Sequence, residues 1–204
     1  MHAIIIHGMG RTPLSMCLLA YRLRAAGIKT SLFAYTVTFE HWEGCTERLR
    51  AFIEKKVGEE EFIVVAHSLG TALTRAVLPT MHCKPAACFF LAPPTQACDA
   101  ARRLAPRPWY RLLAGEMGRL LANQEFMSIL PVPEIPMKIY AGDAGLTGRY
   151  SPFEEPNDGV LMVKETLLPG IPVQIVPSLH TFIMNNRMIA KDIIEKVRTK
   201  NIAT

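Results

Sequence analysis

Residues 62–73, Phe62-Ile63-Val64-Val65-Ala66-His67-Ser68-Leu69-Gly70-Thr71-Ala72-Leu73, constrain this chain more than any other stretch. A continuous apolar run ends at Ala66, a serine follows two places on, and helical character starts at Leu69. This is the pattern of a buried parallel strand turning sharply into a helix with a serine at the apex. Such a turn brings two chain segments so close that only small residues fit two places either side of the serine. Ala66 and Gly70 occupy those places. Ser68 is therefore read as a candidate nucleophile.

The other segments fit a fold built around such a strand. His2–Ile6, Lys29–Tyr35, Glu61–Ala66, Ala86–Leu91, Met137–Ala141 and Pro172–Val176 read as strands. Helical spacing recurs between them. Leu14, Cys17, Leu18, Tyr21 and Ala25 mark the inward face of a first helix, started at Thr12-Pro13 and stopped by Gly27. Cys45, Leu49, Phe52, Ile53 and Val57 mark a second over about 41–57, and Leu69–Pro79 a third. A last helix is predicted over 181–198, with Phe182, Ile189, Ile193 and Val197 inward. Strands alternating with helices predict one α/β domain over residues 1–204, with a mainly parallel sheet and helices on both faces. Residues 92–136 form an excursion bounded by prolines. Its helix near 109–122 carries Trp109, Leu112, Leu113, Met117, Leu120 and Leu121 at helical spacing. That face suits an ordinary crossover helix, with a partial lid as the alternative.

Composition narrows the function classes. The net charge of +5 is mild, and no nucleic-acid motif accompanies it. Arg102, Arg103, Arg107 and Arg111, interleaved with Trp109 and Tyr110, are read as solvated helix ends, with a transient contact to anionic lipid as the alternative. No apolar run approaches the roughly 20 residues needed to cross a bilayer, so stable membrane insertion is not expected. The first strand begins with no basic region before it, which predicts no signal peptide and a cytoplasmic location. Five scattered cysteines, Cys17, Cys45, Cys83, Cys88 and Cys98, predict buried free thiols in a reducing compartment. No histidine or cysteine spacing suggests a metal site, and no cofactor is expected.

A serine hydroxyl needs a base to take its proton and a third group to orient that base. Of six histidines, His180 alone follows the last strand and precedes the last helix, and it is the expected base. His2 lies at the opposite end of the sheet. His41 and His82 lie at helix ends, His7 supports a glycine loop, and His67 is read as a structural residue of the turn. Among four aspartates, Asp99 and Asp192 read as surface helix residues. Asp143 and Asp158 share the loop after the fifth strand; position alone favours Asp143, two residues past the strand, but the residues leave the two undecided. Glu154 and Glu155 are outside candidates. Acyl transfer also needs two N–H donors for the developing oxyanion. The amide of Leu69 supplies one, and Met9, in the loop His7-Gly8-Met9-Gly10, the other.

Taken together, Ile4-Ile5-Ile6-His7-Gly8-Met9-Gly10, Val65-Ala66-His67-Ser68-Leu69-Gly70, Leu91-Ala92-Pro93-Pro94, Asn157-Asp158-Gly159-Val160 and Ser178-Leu179-His180-Thr181-Phe182 resemble the α/β-hydrolase superfamily. The likeness is to its small bacterial serine lipases and esterases, and more distantly to the inositol-deacylase-like group. The resemblance implies a six-stranded sheet of order 2-1-3-4-5-6 and the chain order Ser, Asp, His. It selects Asp158 as the acid, with Asp143 as the fallback. It implies hydrolysis of a small-molecule or lipid ester through an acyl group on Ser68, or acyl transfer or amide hydrolysis with the same triad. A non-catalytic ligand-binding module on this fold is the reading from a different class. Thr71 departs from the family's glycine and is expected to narrow the pocket near Ser68. Thr95-Gln96-Ala97 replaces a more polar turn, so the substrate-side loop is expected to differ.

Overall fold

The structure, a computed structural model, describes residues 1–148 and 151–200. Its centre is a six-stranded sheet of order β2-β1-β3-β4-β5-β6, every neighbouring pair parallel. The strands are β1 His2–Ile6, β2 Lys29–Phe33, β3 Phe62–His67, β4 Ala87–Leu91, β5 Met137–Gly142 and β6 Val173–Val176. β1, β3 and β4 are buried on both faces, so they read as unbroken apolar runs rather than alternating ones.

The helices are α1 Cys17–Ala25, α2 Trp42–Val57, α3 Leu69–Val77, α4 Asp99–Leu104, α5 Pro108–Leu121, α6 Gln124–Ile129 and α7 Arg187–Thr199. α1 packs with α7, and α2 with α3. The sheet grows outward from β1 to β2, then reverses to β3 and beyond. With right-handed crossovers, that reversal puts the two helix pairs on opposite faces. It also opens a crevice at the carboxyl ends of β1 and β3, the switch point where α/β sheets bind ligands. The loop after β1 and the turn after β3 both meet there.

Several expectations about helix faces are corrected. In the first helix, Leu14, Cys17, Leu18, Tyr21 and Ala25 are exposed, while Met16, Leu19, Ala20 and Leu23 pack on the core. Both stripes are apolar at helical spacing. The helix also starts with a 3₁₀ turn, Pro13–Met16, whose tighter winding shifts the phase, and the Thr12 side chain does not cap it. In the last helix, a 3₁₀ turn at Ile183–Asn185 breaks before α7, which starts where the Asn186 side chain accepts from the Met188 amide. Phe182 lies ahead of that break and is 58 % exposed. In α5, Gly115 leaves helical geometry at φ 58°. A Cβ there would lie 2.3 Å from the Val37 carbonyl oxygen, so only glycine permits the approach. Beyond the kink Met117 and Leu121 are buried, but Trp109, Leu112 and Leu113 face outward.

All five thiols are free, but Cys17 and Cys83 are exposed rather than buried. Asp192 is not a free surface residue: it accepts from Tyr140 Oη at 2.6 Å and Lys138 Nζ at 2.8 Å, tying α7 to β5. Among the described residues, no helix is long and apolar enough to cross a membrane.

Candidate active site

Ser68 sits between β3 and α3 at φ 50°, ψ −123°, a conformation that L-residues avoid and that only surrounding structure can enforce. Its amide donates to the Leu91 carbonyl at 3.0 Å. Gly70 is why the turn can close. A Cβ there would lie 2.7 Å from the His7 carbonyl oxygen and 2.8 Å from Ile6 Cγ2. The expected narrowing by Thr71 takes another form. Its buried side chain folds back, and Oγ1 donates to the Ser68 carbonyl at 2.7 Å.

The structure brings Ser68, His180 and Asp158 together. Ser68 Oγ lies 3.0 Å from His180 Nε2, and His180 Nδ1 lies 2.7 Å from Asp158 Oδ2. The carboxylate accepts, so the imidazole proton belongs on Nδ1, leaving the Nε2 lone pair for the serine hydroxyl. The main chain holds the same register, because the His180 amide donates to the Asp158 carbonyl at 2.8 Å. Gly142, at the end of β5, lets these two loops meet. A Cβ there would fall 2.3 Å from the Ser178 carbonyl oxygen and 2.8 Å from Asp158 Cβ.

Asp158 is 2 % exposed, and its second oxygen, Oδ1, accepts from the amides of Val160 (2.9 Å) and Leu161 (2.7 Å). Those two bonds fix which oxygen faces His180. Asp143, the fallback, is exposed, and its side chain has no partner among the described residues. Glu154 is exposed too, and Glu155 pairs with Lys164.

The loop after β1 packs directly on the serine. A Cβ on Gly8 would lie 3.0 Å from Ser68 Cβ and 2.6 Å from His67 Nδ1. Leu69 follows Ser68 directly and Met9 follows Gly8 in the chain, and neither amide has an acceptor among the described residues. Beneath the loop, the Tyr35 hydroxyl donates to the His7 carbonyl at 2.9 Å, and its ring stacks on His7 at 4.3 Å between centroids.

Sequence reasoning gave His67 a local role in the turn. It reaches further, for Nε2 lies 3.1 Å from the His180 carbonyl oxygen, 113 residues away. A carbonyl can only accept, so Nε2 carries the proton. Burial, and after it the neighbouring His180, pushes the His67 pKa well below the ordinary histidine range. The ring therefore stays neutral beside His180. Glu165 was missed altogether. Buried, it accepts from the Asp99 amide at 2.7 Å and the Met162 amide at 2.8 Å, pinning the segment after Asp158 to α4. Standing between Lys164 and Thr166, it carries no sequence signal that would have found it. Among the described residues no cluster of His, Cys, Asp or Glu could hold a metal ion.

Solved structures share this architecture. One is a protein from Xanthomonas campestris pv. campestris assigned to the hydrolases of the α/β superfamily, with 15 % identity, 97 % of this chain and 98 % of that one covered, and a TM-score of 0.64. The mature lipase BlEst2 of Bacillus licheniformis matches at 15 % identity over 99 % and 91 %, with a TM-score of 0.67. RedJ, the thioesterase of the prodiginine biosynthetic pathway in Streptomyces coelicolor, matches at 13 % over 98 % and 85 %, with a TM-score of 0.61. No family model matches the chain, and no curated protein matches it in sequence. The likeness is one of fold: this chain has the α/β-hydrolase fold, with the strand order expected from its sequence.

Proposed function

We propose that this protein is a serine hydrolase of carboxylic esters. The observation that carries the reading is the unbroken line from Ser68 Oγ through His180 to Asp158, at 3.0 and 2.7 Å. Ser68 Oγ attacks the ester carbonyl carbon while its proton passes to His180 Nε2. Asp158 holds the ring in the required tautomer and stabilises the imidazolium. Neutral His67 adds no opposing charge. The Met9 and Leu69 amides receive the oxyanion. The tetrahedral intermediate collapses, His180 returns the proton to the departing alkoxide, and the acyl group stays on Ser68. Water then attacks with His180 again as base, releasing the carboxylic acid and restoring the serine.

The substrate is a small-molecule or lipid-borne ester, and the chemistry uses neither metal nor cofactor. That lipases and a thioesterase share the fold makes thioesters a natural extension of the substrate range. Trp109, Leu112 and Leu113, exposed beside Arg107 and Arg111, support a transient contact with a lipid surface. A fluorophosphonate probe should label the wild type and spare Ser68→Ala and His180→Ala. Equal labelling of Ser68→Ala would overturn the assignment. An ester and thioester panel of graded acyl length, with and without lipid vesicles, then defines the substrate.

A further inference from the structure

Beside the candidate active site stands a cation that the ester chemistry leaves unused. Arg11 lies two residues past Met9, in the loop that packs on Ser68. Its Nη2 donates to the Thr181 carbonyl at 3.4 Å, which sets the guanidinium against the residue after His180. That bond is longer than the usual range of about 2.7–3.2 Å and holds the group only weakly. Arg11 is half-buried, and Nε and Nη1 have no partner among the described residues. Neither is a polar atom buried without a partner, so both stay open to solvent and to a ligand.

No carboxylate pairs with Arg11 among the described residues. Residues 1–39 and 166–191, which carry Arg11 and the His180 loop, contain no Asp or Glu. Asp158 has both oxygens committed, to the Val160 and Leu161 amides and to His180. The charge nevertheless reaches the site, for Arg11 is one of the groups that disfavour a proton on His67.

The side on which Arg11 stands decides what it can hold. His180 Nε2 returns its proton to the departing oxygen, so the alcohol part of an ester lies on the His180 side of Ser68. Thr181, and with it the Arg11 guanidinium, is on that side. The neighbouring surface is apolar. Leu14, in the turn Pro13–Met16, and Phe182, just before the turn Ile183–Asn185, are both exposed, and the two turns pack together.

We infer that Arg11 binds a monoanionic group, a carboxylate or a phosphodiester, carried on the alcohol part of the substrate, with the linking chain running past Leu14 and Phe182. A guanidinium meets two oxygens of such a group with a fork of N–H donors. One cation balances one negative charge, so a dianionic phosphate would be left half-neutralised. Hydrolysis then releases a carboxylic acid and an alcohol that bears the anion. This rests on the ester chemistry proposed above for the side that the alcohol takes.

Calorimetric titration of uncleaved esters into the Ser68→Ala protein tests it without turnover. The probes are butanoyl esters of ω-hydroxy acids, graded from hydroxybutanoate to hydroxyoctanoate, beside their primary amides and the same chains ending in methyl phosphate. At its best length an anionic ester should bind about tenfold or more tighter than the amide, the usual worth of a charged hydrogen bond. Adding Arg11→Gln should erase that ratio, and Arg11→Lys should keep part of it. A loop merely disturbed by loss of the Thr181 contact would weaken anion and amide alike, so the ratio separates binding from structure. The anion-against-amide comparison needs no substitution at Arg11, so it decides even if Arg11→Gln does not fold. No heat from any anionic ester at millimolar concentration, equal affinity for anion and amide at every length, or a ratio that survives Arg11→Gln would each overturn the proposal. Failure of the ester chemistry shows separately, as equal fluorophosphonate labelling of the wild type and Ser68→Ala.

Discussion

Asp158→Asn tests the proposed site most directly, because the structure dictates how the new amide must sit. Oδ1 of Asp158 receives two backbone amides, from Val160 and Leu161, and Oδ2 faces His180 Nδ1. The asparagine carbonyl can keep the first position, which leaves its NH₂ group facing Nδ1. Turning the amide over would set NH₂ against two buried N–H donors, at a cost of about 1–3 kcal/mol for each lost bond. Moving the imidazole proton from Nδ1 to Nε2 costs much less, so the ring yields rather than the amide. A ring protonated at Nε2 cannot accept the serine proton. The expected result is a fall of about 10⁴ in kcat, the usual cost of losing the acid's tautomer control in a serine triad, or about 5 kcal/mol on the barrier. The fold should survive, since both amide bonds to position 158 persist. The assay is kcat on a chromogenic ester beside a thermal melt, with Asp143→Asn as control. If Asp158→Asn kept about a tenth of the activity or more, the tautomer argument would fail. If Asp143→Asn showed the large loss, the acid would be misassigned.

Gly8→Ala should lower kcat by about 10²-fold or more, the cost of misplacing one oxyanion donor, because its Cβ would press on Ser68 and on a His67 ring fixed by its bond to His180. Gly10→Ala is the contrast: φ is +66° but nothing lies within 4 Å, so it should cost about 1 kcal/mol of stability in denaturant melts and leave kcat nearly unchanged. Equal kcat in wild type and Gly8→Ala would refute the packing argument. Stability should also fall with acidity. Because the folded-state pKa of His67 is depressed, its ring is neutral in both states above about pH 6.5, and below it only the unfolded chain takes up the proton. The urea midpoint should therefore drop between about pH 7 and 5, with His67 contributing at most about 1.4 kcal/mol per pH unit. His67→Gln should make that drop shallower, and identical profiles would refute the assignment.

What could be read from the chain tracks how locally each feature is determined. The six strands were legible because continuous apolar runs of this length, bounded by turn residues, have few other uses. The elbow was legible because the backbone geometry at Ser68 demands small neighbours, and Gly70 meets the His7 carbonyl as that demand requires. Helix faces were less so. Leu14, Leu18 and Tyr21 keep the same period as Met16, Leu19 and Leu23, and the phase was set by a 3₁₀ turn with no sequence mark of its own. Arg75 illustrates a third kind of feature. Nothing near it in the sequence says that the Leu130 and Pro131 carbonyls will arrive from 55 and 56 residues away.

The acid shows where local reading stops. Asp143 is nearer the end of β5, and by proximity alone it was the natural choice. Geometry favours Asp158 for a different reason. The chain must leave β5, run out and return before it meets the loop that holds His180, and only on the return does an aspartate find amides to fix its carboxylate. Val160 and Leu161 supply them, and the Leu161 carbonyl in turn accepts from the Asp158 amide. Asn157, fully buried, uses its side-chain oxygen on the Gly159 amide and its side-chain nitrogen on the Leu146 and Glu155 carbonyls. The loop is thus self-bonded around position 158, and it would hold a carboxylate there with or without a histidine opposite. His67 fixes His180 in the same fashion, through the main chain rather than the ring. Each partner of Ser68 is positioned by bonds that do not involve Ser68, so Ser68→Ala should leave His180 and Asp158 in place.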